Sequence, residues 1–343
     1  MQGRTRLTDV ADQAGVSTAT VSRVLNGKPG VAGETRRAVL AALDLLGYER
    51  PEKLRARSAG LVGLIVPELS NPVFPAFAQA IESMLATIGF TPLLCTQSPG
   101  GTTEDDYVEM LLDHDVDGIV FVSGLHADSQ ADPSRYLRLR ERGVPFVLLN
   151  GHNPAIDAPS FSADDRGSMD LAVRHLASQG HRTIGLALGP DRFVPAHRKR
   201  EGFLEAMHTY LDVTDPPVVT TLFTVEGGLS AGSLLLDAGC TAVICGSDLM
   251  ALGAVRAARS RGLKVPNDLS VVGYDDSALI PYTDPPLTTI RQPVAAMCQA
   301  AVTTLAAEIG GSTVPRTELL FVPELIVRGS TGAAPGSANG LMI

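Results

Sequence analysis

Apolar positions follow a helical spacing in the first 46 residues. Val10, Ala11 and Ala14 share one face of a helix that Thr8 is placed to cap. Gly15 ends it, because glycine enters the left-handed turn without a Cβ clash. Val16 then dips toward the core, and Ser17 is a suitable N-cap for a second helix from Thr18 to Leu25, whose Val21, Val24 and Leu25 turn inward. Asn26 and Gly27 stop that helix. A third carries Val39, Ala42, Leu43 and Leu46 at helical spacing and stops at Gly47. Two short helices joined by a tight glycine turn make a helix-turn-helix unit.

From Leu61 onward the rhythm changes. Short, nearly continuous apolar runs (LVGLIVPEL, TPLLCTQ, DGIVFVSG, PFVLLNG, then TIGLALG, VVTTLFT, TAVICGS and LSVVGYDD) alternate with amphipathic stretches. Continuous apolar strands alternating with helices predict parallel sheets covered on both faces. Such strands end on loops that build a ligand crevice at their carboxyl ends. Two such halves would enclose a cleft.

Charge divides the chain in the same place. The net charge is −9, which argues against a nucleic-acid partner until its distribution is considered. Of 28 basic and 37 acidic residues, ten and six lie in the first 60, a net of +4 there and −13 elsewhere. A basic head on an acidic body predicts that only the head meets phosphates. On the second helix Thr18, Ala19, Ser22 and Arg23 share the outward face. Arg23 can donate two parallel bonds to guanine O6 and N7, and Thr18 can meet a base edge or a thymine methyl. Arg36 and Arg37 sit in the first turn of the third helix, where they oppose the helix dipole, so phosphate contact is the better use for them. A plain solvated hairpin is the competing explanation for this surface.

The remaining composition removes other classes. A length of 343 residues suits two or three domains, and 45% hydrophobic with 19% charged residues is an ordinary globular balance. Cys95, Cys240, Cys245 and Cys298 form no CxxC pair and no metal-ligand spacing with a histidine, so reduced thiols are expected and no metal or cofactor. The stretch MQGRTRLTDV lacks the apolar core of a signal peptide, and no apolar run approaches the ~20 residues of a membrane span. The expected location is the cytoplasm, on the nucleoid, with no membrane partner. The enzyme signatures GxGxxG after a strand, GxxxxGK[ST], GxSxG and HExxH are absent. His175 and His181 flank a helix end, where capping accounts for them.

The stretches DVADQAGVSTATVSRVLNG, ETRRAV and LGY closely resemble the head of the lactose/galactose-repressor (LacI/GalR) family. In the body SNPVF, LASQGH, the GF of 202–203, SDLMALGAVRAARSRGLKVPNDLSVVGYDD, PPLTTIRQP and LIVRGST match the same family, so the resemblance covers almost the whole chain. It implies an α/β protein: an all-α helix-turn-helix head and a body of two parallel α/β subdomains, like the periplasmic sugar-binding proteins. The implied boundaries are a head over 1–48, a hinge linker over 49–60, a first subdomain over 61–159 plus 291–322, a second over 160–290 plus 323–331, and a disordered tail over 332–343. That tail has no leucine heptads for a tetramer.

The resemblance implies a homodimeric transcription regulator, a repressor, that binds a pseudo-palindromic double-stranded operator under control of a small-molecule effector, a sugar or related metabolite. The competing readings are a cytoplasmic solute-binding or nucleoside-sensing protein and a metabolic activator of the same fold. The DNA-binding set it implies is Ser17, Thr18, Ala19, Thr20, Ser22, Arg23, Asn26, Thr35, Arg36 and Arg37, with Leu54, Arg55 and Arg57 of the linker. In this family the hinge inserts a leucine into the minor groove. Ala59 stands at that place here, leaving Leu54 as the substitute. The implied effector set is Phe74, Ser123, Asn150, Lys199, Phe223, Ser247, Asp275 and Gln292. Asn150, Ser247 and Lys199 replace the family's usual aspartate, asparagine and arginine. Lys199, with Arg198 and Arg200, is a candidate contact for a phosphate or carboxylate.

Overall fold

A computed structural model describes residues 6–25, 31–46, 60–97 and 100–336. The chain divides into two units, Met1–Ala59 and Gly60–Ile343. The expected contacts at Asn26, Leu54, Arg55 and Arg57, and the hinge that carries the last three, lie outside the described residues.

The head is three helices, α1 (Leu7–Ala14), α2 (Thr18–Leu25) and α3 (Gly33–Leu45). Their apolar faces meet in one core of Val10, Ala11, Val21, Val24, Leu25, Val39, Ala42 and Leu43. Thr8 is not the cap of α1. It lies inside the first turn, because Asp9 reaches back to accept the Arg6 N–H at 2.8 Å and starts the helix one residue earlier. Gly15 takes φ 63°, ψ 33°, and the Val16 N–H donates to Ala11 O at 3.0 Å, which lowers Val16 onto the core. Ser17 does cap α2: its hydroxyl accepts the Thr20 N–H at 3.2 Å.

The body has two six-stranded sheets. The first contains β1 (Gly60–Val66), β2 (Phe90–Thr96), β3 (Gly118–Val122), β4 (Phe146–Leu149), β5 (Ser160–Ala163) and β11 (Glu318–Phe321), in the order β11-β5-β4-β3-β1-β2, all parallel. The second contains β6 (Ile184–Leu188), β7 (Val218–Thr220), β8 (Ala242–Cys245), β9 (Ser270–Asp275), β10 (Thr288–Arg291) and β12 (Glu324–Ile326), in the order β12-β10-β9-β8-β6-β7. Only β12 runs antiparallel to its neighbour.

Helices cover both faces of each sheet. On the first, α4 (Val73–Thr87) and α11 (Val294–Ile309) lie opposite α5 (Glu104–Asp113) and α6 (Ser134–Glu141). On the second, α7 (Asp165–Ser178) and α8 (Val194–Leu211) lie opposite α9 (Val225–Asp237) and α10 (Asp248–Ser260). The chain passes between the subdomains three times: from β5 to α7, from β10 to α11 and from β11 to β12. Among the described residues no helix is long and apolar enough to cross a membrane.

Four expected boundaries move. Residues 160–163 belong to the first sheet rather than the second subdomain, because Ser160–Ala163 is hydrogen-bonded between β4 and β11. Arg291 completes β10, so the return to the first subdomain begins at Gln292, and the body's first strand starts at Gly60. Disorder does not begin at 332: the Gly332 N–H donates to Ser270 Oγ at 3.1 Å and the Ala334 N–H to Gln179 O at 2.9 Å. His181 Nε2 lies 3.1 Å from Gly332 O, and His175 Nε2 lies 2.9 Å from Thr331 Oγ1. These histidines fasten the C-terminal segment rather than capping a helix. Residues 337–343 lie outside the described residues.

Candidate functional site

In the head, α2 presents one exposed face. Ser17, Thr18, Ala19 and Arg23 are exposed, and Thr20 and Ser22 are half-buried. The helix can lie with this face outward because its other face supplies a third of the head core. Arg36 and Arg37 are exposed at the start of α3, with Thr35 half-buried beside them. An exposed helix N-terminus carrying Thr18, Ala19 and an arginine one turn on fits a major groove, while the α3 arginines suit phosphate oxygens.

In the body, the strands β1 to β10 of the two sheets end toward one cavity of about 560 Å³. Asn71 and Phe74 follow β1, Gln97 follows β2, Ser123 follows β3, Asn150 follows β4 and Asp165 follows β5. From the second sheet, Arg192 and Phe193 follow β6, Phe223 follows β7, Ser247 follows β8, Tyr274 and Asp275 end β9, and Gln292 follows β10. All eight residues named from the sequence, Phe74, Ser123, Asn150, Lys199, Phe223, Ser247, Asp275 and Gln292, therefore line one space.

Local structure fixes several of them. Ser247 caps α10, its hydroxyl accepting the Met250 N–H at 3.3 Å. Asn150 holds φ 58° while its N–H donates to Phe161 O at 3.0 Å. The ring of Phe223 packs so close to Gly189 that a Cβ there would come within 2.0 Å of it, so a larger residue would displace the ring. Asp275 has φ 114°, a strained value that aims the end of β9 into the cavity.

The electrostatics are dominated by carboxylates. Burial, reinforced by the charge of Asp248, holds Asp275 well above the ordinary carboxylate range, although Gln292 Nε2 donates to its Oδ1 at 2.6 Å. Burial pushes Asp248 up to about 6, against hydrogen bonds from the Ser277 N–H and the Thr289 hydroxyl, both at 2.7 Å. Lys199 does not stand open for an anion: its Nζ lies 2.6 Å from Asp165 Oδ1 and 3.9 Å from the centroid of the Tyr274 ring. Arg198 is spent on Glu318, with bonds of 2.6 and 2.9 Å.

Further contacts join the two subdomains. Arg192 Nε donates to Asp128 Oδ2 at 2.8 Å, and the Ser129 N–H donates to Arg192 O at 2.9 Å. The Arg198–Glu318 pair joins α8 to β11. Sequence reasoning missed Asp165, Tyr274, Arg192, Phe193, Asn71 and Gln97. The strand-end rule was the signal that could have found most of them, since each stands on or just after a strand.

Comparison with known proteins places both units. Residues 6–51 match the model of bacterial regulatory proteins of the lacI family, and residues 173–331 match that of the periplasmic binding protein-like domain. The HTH-type transcriptional regulator MalR of Streptomyces coelicolor is 61% identical over 337 residues, covering 97% of this chain and 98% of its own. The structure of the transcriptional regulator CelR in complex with cellobiose superposes with a TM-score of 0.69 at 32% identity, covering 95% of this chain and 100% of its own. The lac repressor dimer bound to operator and the anti-inducer ONPF gives a TM-score of 0.69 at 28% identity, covering 96% and 100%.

Proposed function

The chain belongs to the lacI family of bacterial transcription regulators, and from that premise we propose that it is a repressor whose operator affinity is set by a sugar bound between its two body subdomains. The observation that carries the reading is the convergence of both sheets' strand ends on one cavity, in a chain that also carries a helix-turn-helix head. Its volume falls in the range of about 300–1,000 Å³ usual for small-molecule sites.

The chemistry suits a polyol. Phe74, Phe193 and Phe223 give flat apolar walls for the C–H face of a sugar ring. Asp275, Asn150, Gln97 and Gln292 offer acceptors and donors to hydroxyls. CelR holds cellobiose on the same fold, which supports a saccharide effector here. The DNA-binding set is the exposed face of α2 with Arg36 and Arg37. The protein works as a homodimer, each copy reading one half of a pseudo-palindromic site, as the lac repressor dimer does on its operator. It acts in the cytoplasm, where the operator is, and its work is binding rather than catalysis.

A gel shift on DNA upstream of the protein's own gene, with and without a panel of cellobiose, maltose, ribose and cytidine, tests this. The expected result is a specific complex whose midpoint moves with a saccharide. A chain that binds this DNA no better than unrelated DNA, or that responds only to cytidine, would overturn the reading.

A further inference from the structure

The cavity is lined by two cations, Arg192 and Lys199, and both are already engaged. Arg192 is tied to Asp128 from the opposite subdomain at 2.8 Å. Lys199 is paired with Asp165 at 2.6 Å, and the two side chains are only 6% and 5% exposed. The Tyr274 hydroxyl donates to the same Asp165 oxygen at 2.9 Å, so the pair is held from a third side. Asp165 is fixed in turn at the start of α7, directly after the chain crosses from the first sheet. Of the two arginines that flank it on α8, Arg198 is committed to Glu318 and Arg200 is exposed outside the cavity lining. Glu68 and Asp275 also line the cavity, and neither is ion-paired with a lysine or arginine among the described residues.

We propose that Asp165 determines the charge class of the effector: by neutralising Lys199 it makes the cavity select a neutral polyol and reject its phosphorylated or carboxylated counterpart. This rests on reading the cavity as the effector site. A buried anion needs a counter-charge to offset its lost hydration. Among the described residues that line the cavity, the one buried cation is shared with a carboxylate, and an incoming phosphate would also face Glu68. That repulsion is discrimination against the wrong ligand rather than attraction for the right one. The neutral ligand loses nothing, because the Lys199 ammonium has three donors and Asp165 occupies one of them. The pair thus supplies hydrogen bonds to a hydroxyl without supplying net charge.

Calorimetry on the full-length protein tests this with matched probes: maltose and maltose 6′-phosphate, cellobiose and cellobiose 6′-phosphate, and inorganic phosphate. In the wild type the neutral member of a bound pair is expected to be favoured at least roughly tenfold, with no heat from phosphate at millimolar concentration. Asp165→Asn keeps an acceptor for the Tyr274 hydroxyl and frees the charge of Lys199. It is expected to gain phosphate binding and to shift the preference roughly tenfold toward the phosphorylated sugar. The double variant Asp165→Asn/Lys199→Gln should lose that gain.

A wild type that takes a phosphorylated sugar as tightly as its neutral partner overturns the proposal. So does a folded Asp165→Asn protein with an unchanged preference and no phosphate binding. If neither neutral sugar nor its phosphate binds the wild type, the saccharide reading fails. The phosphate titration of Asp165→Asn against the wild type then still decides the charge claim. If Asp165→Asn does not fold, the wild-type preference decides it alone.

Discussion

At the scale of the residue, two exposed arginines on neighbouring helices are proposed to carry different work. Arg23 is exposed on α2 among the side chains that face outward, where a bidentate bond to a guanine edge is in reach of a groove-bound helix. Arg37 is exposed at the start of α3, outside that face. Arg23→Ala should weaken operator binding by about 1–3 kcal/mol and relax the preference at one base pair of each half-site. Arg37→Ala should weaken all sequences alike and lower the slope of log affinity against log salt by about one. Anisotropy titrations on operator and scrambled DNA at several salt concentrations separate the two. Equal loss of discrimination from both variants would refute the assignment. The cavity residues were legible in a different degree. Phe223, Ser247 and Asp275 could be named because the family resemblance implied them, and each stands at or just after a strand end. The partner of Lys199 could not, since Asp165 stands 34 positions earlier and meets it only when α7 packs on α8.

At the scale of the element, strand rhythm was a good guide where a strand's run was continuously apolar. It failed at Ser160–Ala163, where two serines interrupt the apolar run and the strand is short, so nothing in SFSA announces the first sheet. The helix pair α9 and α10 shows a constraint that pattern alone does not reveal. A Cβ on Gly253 would stand 2.1 Å from Val225 O and 2.5 Å from Leu229 N, and one on Gly228 would stand 2.1 Å from Met250 O. These neighbours are backbone and cannot rotate aside. Gly253→Ala should therefore force the helices apart and destabilise the body by about 1–3 kcal/mol or more. Because Ser247 caps α10 and lines the cavity, the same variant should weaken effector binding. Thermal denaturation and calorimetry read the two effects. An unchanged melting point would mean that the helices yield without cost.

At the scale of the whole molecule, the question is how a ligand in the body changes affinity for DNA at the head. The two subdomains are tied by three chain crossings and by the Arg192–Asp128 and Arg198–Glu318 pairs. Asp165 and Gln292 stand just after two of the crossings and line the cavity, so occupancy bears on the segments about which the subdomains can move. A ligand shifts DNA affinity only as far as it prefers one arrangement over the other, typically about 1–3 kcal/mol. The most direct measurement is operator binding by anisotropy, with and without the saccharide found by calorimetry, on the wild type and on Asp275→Ala. The account predicts a roughly 5–150-fold change in operator Kd for the wild type. It predicts no ligand-dependent change for Asp275→Ala, which should still bind the operator when ligand is absent. An Asp275→Ala protein whose operator affinity still responds to the saccharide as the wild type does would contradict it.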